Sequence, residues 1–318
     1  MQKLLIVCGP TATGKTALAL SLAKKFKGEL ISADSKQVYK GLDIGTGKDI
    51  STQAKRKGYY EFQGIKIWGY DLVGPKENFS VSRYIQFARK VVKEIVKREK
   101  LPIIVGGTGL YIKAIVDGIP TAKIPQSPAL RENLAAKSQD ELFEILAQLD
   151  PIKAGSLNSS DKKNPRRLIR AIEIATWNLE GKSKEFKERI QKFDPLFIGL
   201  TSSREYLFER IAKRVETRVC QGVEREIGEL LKKGVSWENQ SMSSLGYRQW
   251  RAYFEGKKTK KETIEDWKRQ EKKYAKRQIT WFKRDRRIAW FDITKPNWAD
   301  SVEKLAKIWY SSNDAKKN

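Results

Sequence analysis

The sequence predicts an α/β fold: a P-loop NTPase-like parallel sheet with helices on both faces, plus a small all-helical insertion domain. Three observations predict it. Residues 9–16 read GPTATGKT and fit G-x-x-x-x-G-K-[ST] at every fixed position. An apolar run, Leu4–Cys8, precedes this motif, and the helix-forming stretch Ala17–Ala23 follows it. Strand and helix patterns then alternate up to about residue 120, whereas from 123 to 195 only helical patterns remain.

Strands are expected at 3–8, 29–33 and 102–106. A helix is expected over 80–98, where Val81, Tyr84, Ile85, Ala88, Val91, Val92 and Ile95 recur at helical spacing. The order β-loop-α-β-α-β implies parallel strands with helices on both faces. The Gly-rich stretches Gly41–Gly47 and Gly106–Gly109 follow strands, at the ends where such sheets bind ligands. Turn-rich segments at 117–120 and 125–128 mark the change of character. Leu142, Ile145, Leu146 and Leu149 share one helix face beyond it, and Leu168, Ile169, Ile172 and Ala175 another. A strand at 196–201 rejoins the sheet. Helices over 204–219, 223–233, 244–254 and 260–282, a strand at 288–293 and a helix at 297–311 complete the chain, with the tail Asp314–Asn318 frayed. The predicted division is a core of 1–122 and 196–318 and an insertion of 123–195.

The chain of 318 residues is long enough for about two domains. No apolar run reaches the ~18–20 residues that span a bilayer. Met1-Gln2-Lys3 runs directly into a strand, which leaves no room for a signal peptide. Cys8 and Cys220 are too few for a disulfide framework or a zinc site. These features predict a cytoplasmic protein without membrane association, expected to be a monomer. The net charge of +26 favours a polyanionic partner such as nucleic acid; the alternative is a Lys-rich solvated surface. With no histidine, any general base must be a carboxylate, Lys, Tyr or Cys.

Residues that carry chemistry follow from position and type. In Gly9-Pro10-Thr11-Ala12-Thr13-Gly14-Lys15-Thr16, backbone N–H groups and the following helix N-terminus surround a di- or triphosphate. Lys15 adds a point charge, and Thr16 offers a hydroxyl to Mg²⁺. Asp34, just past the second strand, is either a base facing a substrate nucleophile or a turn aspartate. Ordinary ATPases end a strand in an Asp that holds Mg²⁺. Here Val105-Gly106-Gly107-Thr108 has none, which argues against ATP hydrolysis; the glycines serve either a close approach or a tight turn. Arg210 and Arg214 share a helix face, with Lys213 and Arg218 nearby and unranked. Residues 257–287 hold fourteen basic and five acidic side chains, with Trp267, Tyr274 and Trp281 seven apart. Those aromatics read as a core-facing stripe, and part of the charge as an RNA contact. Arg166, Arg167 and Arg170 form a second basic cluster.

The strings GPTATGKT, Leu30–Ser35, Val38–Thr46, Val105–Tyr111, Asn164–Arg170, Leu245–Gln249 and Ala275–Trp281 together resemble the bacterial tRNA dimethylallyltransferase family, in the family's order and over nearly the whole chain. The resemblance implies transfer of a prenyl group from dimethylallyl diphosphate to N6 of the adenosine 3′ of the anticodon, in tRNAs reading codons that begin with U. It implies that the loop holds the donor's diphosphate. Thr11 resembles the threonine at the bridging oxygen, Asp34 the base that takes the N6 proton, and Arg214 the diphosphate clamp. It also implies tRNA contacts by Ser35, Lys36, Gln37, Thr108, Arg131, Arg166, Arg167, Arg170, Gly246, Tyr247 and Arg248. The chain differs from the family at Thr13 and Gly109, and it lacks the Cys/His finger of many eukaryotic members. Rival readings are an isopentenyltransferase acting on free adenine nucleotide, a P-loop kinase and a non-catalytic RNA-binding protein.

Overall fold

The computed structural model describes residues 1–49, 54–181 and 192–312; the tail Asp314–Asn318 lies outside these. The described chain forms two compact units, Met1–Asp117 with Lys192–Asn318, and Gly118–Gln191.

The larger unit is built on seven strands: β1 (Gln2–Cys8), β2 (Gly28–Ser32), β3 (Tyr60–Phe62), β4 (Ile65–Trp68), β5 (Leu101–Val105), β6 (Phe193–Thr201) and β7 (Ile288–Asp292). Their spatial order is β3-β4-β2-β5-β1-β6-β7. All neighbours run parallel except β3 and β4. Strand side chains alternate between faces. Leu4, Ile6, Ile31 and Ile104 therefore pack on one face, against Tyr84, Ala88 and Val92 of α2 (Val81–Lys97). Leu5, Val7, Leu30 and Ile103 pack on the other, with Leu18 and Leu22 of α1 (Lys15–Lys25) and Val302 of the final helix. Both faces of the central strands are buried, which explains their unbroken apolar runs.

The β3–β4 hairpin is absent from the sequence-based expectation. Its turn is Gln63-Gly64, with φ of 51° and 75°, a two-residue turn that needs left-handed backbone at both positions. Glutamine is a poor marker for that geometry. The hairpin is anchored by Trp68, whose Nε1 donates to the buried Glu29 carboxylate at 2.8 Å; Arg98 donates to the same group at 2.8 Å.

The larger unit also holds α3 (Gly109–Val116). The smaller unit comprises α4 (Pro128–Ala135), α5 (Gln139–Leu149), α6 (Pro151–Gly155), α7 (Ser159–Lys162) and α8 (Pro165–Leu179). Each begins at a capping side chain, Ser127, Ser138, Asp150, Asn158 or Asn164, and three carry Pro in the first turn. Leu134, Leu142, Leu146, Leu168, Ile172 and Ala175 form its core.

The chain then returns through α9 (Arg204–Cys220), α10 (Val223–Lys232), α11 (Arg251–Phe254), α12 (Lys260–Phe282) and α13 (Trp298–Ser311). The single helix expected over 244–254 is not formed. Gly246 has φ +85°, and a Cβ there would lie 2.6 Å from the Trp267 ring and 2.9 Å from the Gly45 carbonyl oxygen. The chain turns tightly at this point, and only a 3₁₀ turn (Arg248–Trp250) and α11 follow. Among the described residues no helix is long and apolar enough to cross a membrane.

Candidate active site

Because β1, β2, β4 and β5 are parallel, the loops leaving them gather at one edge of the sheet. They line a cleft of about 850 Å³ whose other wall comes from α9 and α12. The 9–14 loop joins β1 to α1. Gly9 has φ +132°, and a Cβ there would lie 2.4 Å from the Leu200 carbonyl oxygen, so the adjacent strand excludes any side chain. Gly14, also left-handed, precedes α1 with no side-chain cap. Thr13 Oγ1 and Lys15 Nζ both donate to the Pro10 carbonyl, at 2.9 and 2.6 Å. The loop is held from outside by two further groups: Arg210 Nε donates to the Ala12 carbonyl at 2.7 Å, and the Gln278 carbonyl oxygen accepts from the Thr11 N–H at 2.9 Å.

Arg214 reaches the loop from α9. Its Nη1 donates to Thr11 Oγ1 at 2.9 Å and its Nη2 to Asp49 at 3.1 Å. One turn later, Arg218 is 5% exposed, donates to the Gly45 carbonyl at 3.2 Å and faces Glu271 at 3.6 Å. A Cβ on Gly47 would lie 2.0 Å from Arg218 Nη2 and 2.4 Å from Arg214 Nη2, so the two guanidiniums crowd one glycine. Burial and the Arg214 charge pull Arg218 down to about 10. Thus the two arginines that spacing alone cannot rank divide their work. Arg214 faces the phosphate loop, and Arg218 supports the 45–47 backbone.

Asp34 lies two residues beyond β2 and lines the same cleft. Its Oδ1 accepts the Lys36 N–H at 2.8 Å. Ser35 N–H donates to Thr108 Oγ1 at 3.1 Å, Lys36 Nζ to Ser243 Oγ at 3.0 Å, and Gln37 Nε2 to the Gly47 carbonyl at 3.0 Å. The two glycines after β5 serve close approach: a Cβ on Gly106 would lie 2.3 Å from the Ala33 carbonyl oxygen, and one on Gly107 2.1 Å from Gln278 Nε2. Neither has positive φ.

The cleft is strongly cationic. Lys15, Lys36, Arg210, Lys213, Arg214, Arg218, Arg248 and Arg277 line it against Asp34, Asp49 and Glu271. Burial in the cleft and repulsion from Arg214 lower Lys15 to about 8. Its charge is therefore complete only well below pH 8, half lost near that value and lost as pH rises through it. A bound diphosphate favours the charged form and draws the proton back. Pyrophosphate affinity is thus expected to fall above pH 8 by up to about tenfold per unit, with extra proton uptake on binding. Calorimetry from pH 7 to 9.5 in two buffers checks this. Lys15→Met should lose the pH-dependent part, and an identical pH profile in that variant would contradict it.

Two family models match the chain. The description "IPP transferase" matches residues 37–285, and "Isopentenyl transferase" matches residues 2–61. The chain belongs to the IPP transferase family. Among relatives of this family member is a tRNA dimethylallyltransferase from Anoxybacillus flavithermus, 41% identical over 298 residues, covering 92% of this chain and 91% of that protein. One from Bacillus subtilis is 38% identical over 301 residues, covering 93% and 92%. The crystal structure of the full-length tRNA isopentenylpyrophosphate transferase from Bacillus halodurans is 33% identical with a TM-score of 0.71 and covers 100% of both chains. A eukaryotic dimethylallyltransferase acting on tRNA is 26% identical with a TM-score of 0.79, covering all of this chain and 80% of that one.

The remaining residues that the family resemblance singles out occupy varied places. Arg248 is exposed and lines the cleft. Tyr247 is fully buried, and its hydroxyl donates to Glu226 Oε1 at 2.5 Å. Gly246 is packed beneath Trp267. Both are buried, where Trp267 of α12 packs on Gly246 and the Tyr247 ring packs on Gly45, so they support the 43–47 loop. In the smaller unit, Arg131 and Arg170 grip the buried Glu173 at 2.7 and 2.9 Å, and Arg170 also donates to the Thr121 and Ile124 carbonyls at 2.8 Å. Burial alone would raise the Glu173 carboxyl, but these partners hold it below the usual range. Arg167 pairs with Asp161, and Arg166 is exposed. The aromatic stripe of α12 divides: Trp267 is buried, Tyr274 lines the cleft, and Trp281 is 40% exposed.

Residue-by-residue reading misses Gln278 and Glu226. Glu226 accepts the Asp43, Ile44 and Gly45 N–H groups at 3.0, 2.8 and 3.2 Å, so one carboxylate holds the loop below Arg218. Only the match of Ala275–Trp281 to the family pattern marks Gln278, and nothing in sequence marks Glu226. Glu226→Ala is expected to lower stability by about 2 kcal/mol through unsatisfied donors, with Glu226→Gln losing less. Urea denaturation checks the order.

Proposed function

We propose that this chain transfers the dimethylallyl group of dimethylallyl diphosphate to N6 of the adenosine immediately 3′ of the anticodon, in tRNAs reading codons that begin with U. One observation carries the reading: the phosphate loop, its Arg214–Thr11 contact and the Asp34 carboxylate line one cleft. The names of the relatives and of the solved structures support it.

The loop N–H groups, Lys15 and Arg214 take the diphosphate, with Thr11 at the bridging oxygen. As the C1–O bond breaks, its electron pair goes to the diphosphate, and the N6 lone pair forms the new C–N bond. The exocyclic amine is a weak nucleophile because its lone pair is delocalised into the ring. Asp34 accepts its proton as the bond forms. Ser35, Lys36, Gln37 and Arg248 border the acceptor side, where the adenosine enters flipped out of its loop. Exposed cations such as Arg166 and Arg277 meet the RNA backbone.

Mg²⁺ fits the site. Thr16 lines the cleft, and Mg²⁺ is ordinarily held by one or two protein oxygens with phosphate and water, not by a protein cage. Among the described residues no cluster of three or more acidic, Cys or His side chains offers such a cage. Thr16 would hold such an ion, which would supply neutralisation of the leaving-group charge.

The test offers labelled dimethylallyl diphosphate to an unmodified anticodon stem-loop and, in parallel, to AMP. Label on the RNA is the expected result. Label on AMP alone assigns the chain to free nucleotide, and phosphoryl transfer from ATP with label on neither assigns it to the kinases.

A further inference from the structure

Tyr70 lines the cleft and has no part in the mechanism above. It lies two residues past the end of β4, as Asp34 lies two past the end of β2, and the two strands are parallel neighbours with Ile31 opposite Trp68. Gly69, at φ +97°, brings this segment against β2: a Cβ there would lie 3.1 Å from the Ser32 carbonyl oxygen. The next residue therefore turns into the cleft, which Tyr70 lines. Its ring is 6% exposed and sits edge-on to Tyr60, with centroids 5.4 Å apart. The Tyr60 hydroxyl donates to Asp71 at 2.9 Å. The Tyr70 hydroxyl has no hydrogen-bond partner among the described residues.

The ring is buried but the hydroxyl is not among the buried polar atoms that lack a partner, so it opens onto the cleft, where a ligand can reach it. Burial, then the charges of Asp49 and Asp34, push this phenol well above its ordinary range, so at neutral pH it is a donor and needs an acceptor. Tyr70 belongs to the same buried cluster as Leu18 and Ala19 in the first turns of α1, the helix that follows the phosphate loop, and lines the cleft together with Thr16, Asp49 and Arg214. Arg214 and Asp49 are bonded to each other beside Thr11, on the phosphate side of the cleft.

We propose that the Tyr70 hydroxyl is a hydrogen-bond donor to the diphosphate of the prenyl donor. The proposal rests on the prenyl-transfer reading above. Tyr70 keeps its proton throughout: it stabilises charge arriving on a diphosphate oxygen as the C1–O bond breaks, and the proton from N6 goes to Asp34. As a neutral donor it grips the leaving group without adding to the crowded positive charge of Lys15, Arg214 and Arg218.

The experiment compares wild type with Tyr70→Phe, which keeps the ring and its packing on Tyr60. Inorganic pyrophosphate is the probe, titrated calorimetrically with Mg²⁺ present, alongside prenyl-transfer kinetics and thermal unfolding. Loss of one hydrogen bond to a charged acceptor predicts a Kd for pyrophosphate about 10- to 100-fold weaker. A similar loss is expected in kcat/KM for the prenyl donor, with KM for the stem-loop and Tm unchanged. Equal pyrophosphate affinity in the two proteins overturns the role of Tyr70 and leaves the transferase reading standing, also where KM for RNA has moved instead. Failure of the wild-type chain itself to bind pyrophosphate overturns that reading along with it.

Discussion

Asp34→Ala is expected to lower kcat by ~10²–10⁴-fold, the usual scale for loss of a general base, with little change in tRNA affinity. The chain has no histidine to take over the proton. The other carboxylates lining the cleft are already engaged: Asp49 accepts from Arg214 at 3.1 Å, and Glu271 accepts from Trp267 Nε1 at 3.2 Å. Asp34 uses one oxygen on the Lys36 N–H. Asp34→Asn keeps the side-chain size and that bond but cannot accept a proton, so it should fall as far as the alanine variant. Single-turnover transfer under saturating substrates, with tRNA binding measured separately, checks both. Unchanged turnover in either variant would remove Asp34 from its role.

Arg214→Ala should lower kcat/KM for the prenyl diphosphate by ~10²–10³-fold, the scale of removing one preorganised charge-stabilising donor. It removes a cation and also frees Thr11, whose hydroxyl Arg214 holds at 2.9 Å. Arg214→Lys should recover only part of this. An ammonium cannot bridge Thr11 and Asp49 with two parallel donors as a guanidinium does. The neighbouring Arg218 does not compensate, because it is committed to Gly45 and Glu271. Steady-state kinetics with each substrate varied in turn separates this loss from any effect on RNA, whose KM should move by only a few-fold.

Strand ends and helix faces have regular positions, so the sequence narrows the candidates to Asp34 and to the basic residues of α9; only the family resemblance singles out Arg214 among the latter. β5 separates β2 from β1, but all three run parallel, so a carboxylate just past β2 still reaches the rim that holds the phosphate loop. An arginine on the helix after β6 can turn toward that rim. The central parallel strands are legible for a similar reason: burial on both faces leaves unbroken apolar runs. What stays hidden depends on contacts between distant segments. The β3–β4 turn is masked because Gln63 takes a left-handed conformation that its type does not advertise. The family resemblance reads Gly246 and Tyr247 as tRNA contacts, whereas Trp267 of α12 packs on Gly246 and Tyr247 is fully buried on Glu226. The pairing of Arg131 and Arg170 with Glu173, buried at 4% exposure, is hidden as well, although their side chains stay 39% and 27% exposed. The Gln278 bridge, with Thr11 at 2.9 Å and Gly107 at 3.0 Å, spans more than half the chain, and no local pattern encodes it.

The most direct measurement is mass spectrometry of an anticodon stem-loop incubated with this protein, dimethylallyl diphosphate and Mg²⁺. The account predicts gain of one C₅H₈ unit on the adenosine 3′ of the anticodon. That gain should vanish when this adenosine becomes guanosine and when Asp34 becomes alanine. Prenylation of AMP with the RNA left unmodified, or of the RNA by the Asp34→Ala protein at the wild-type rate, would contradict it.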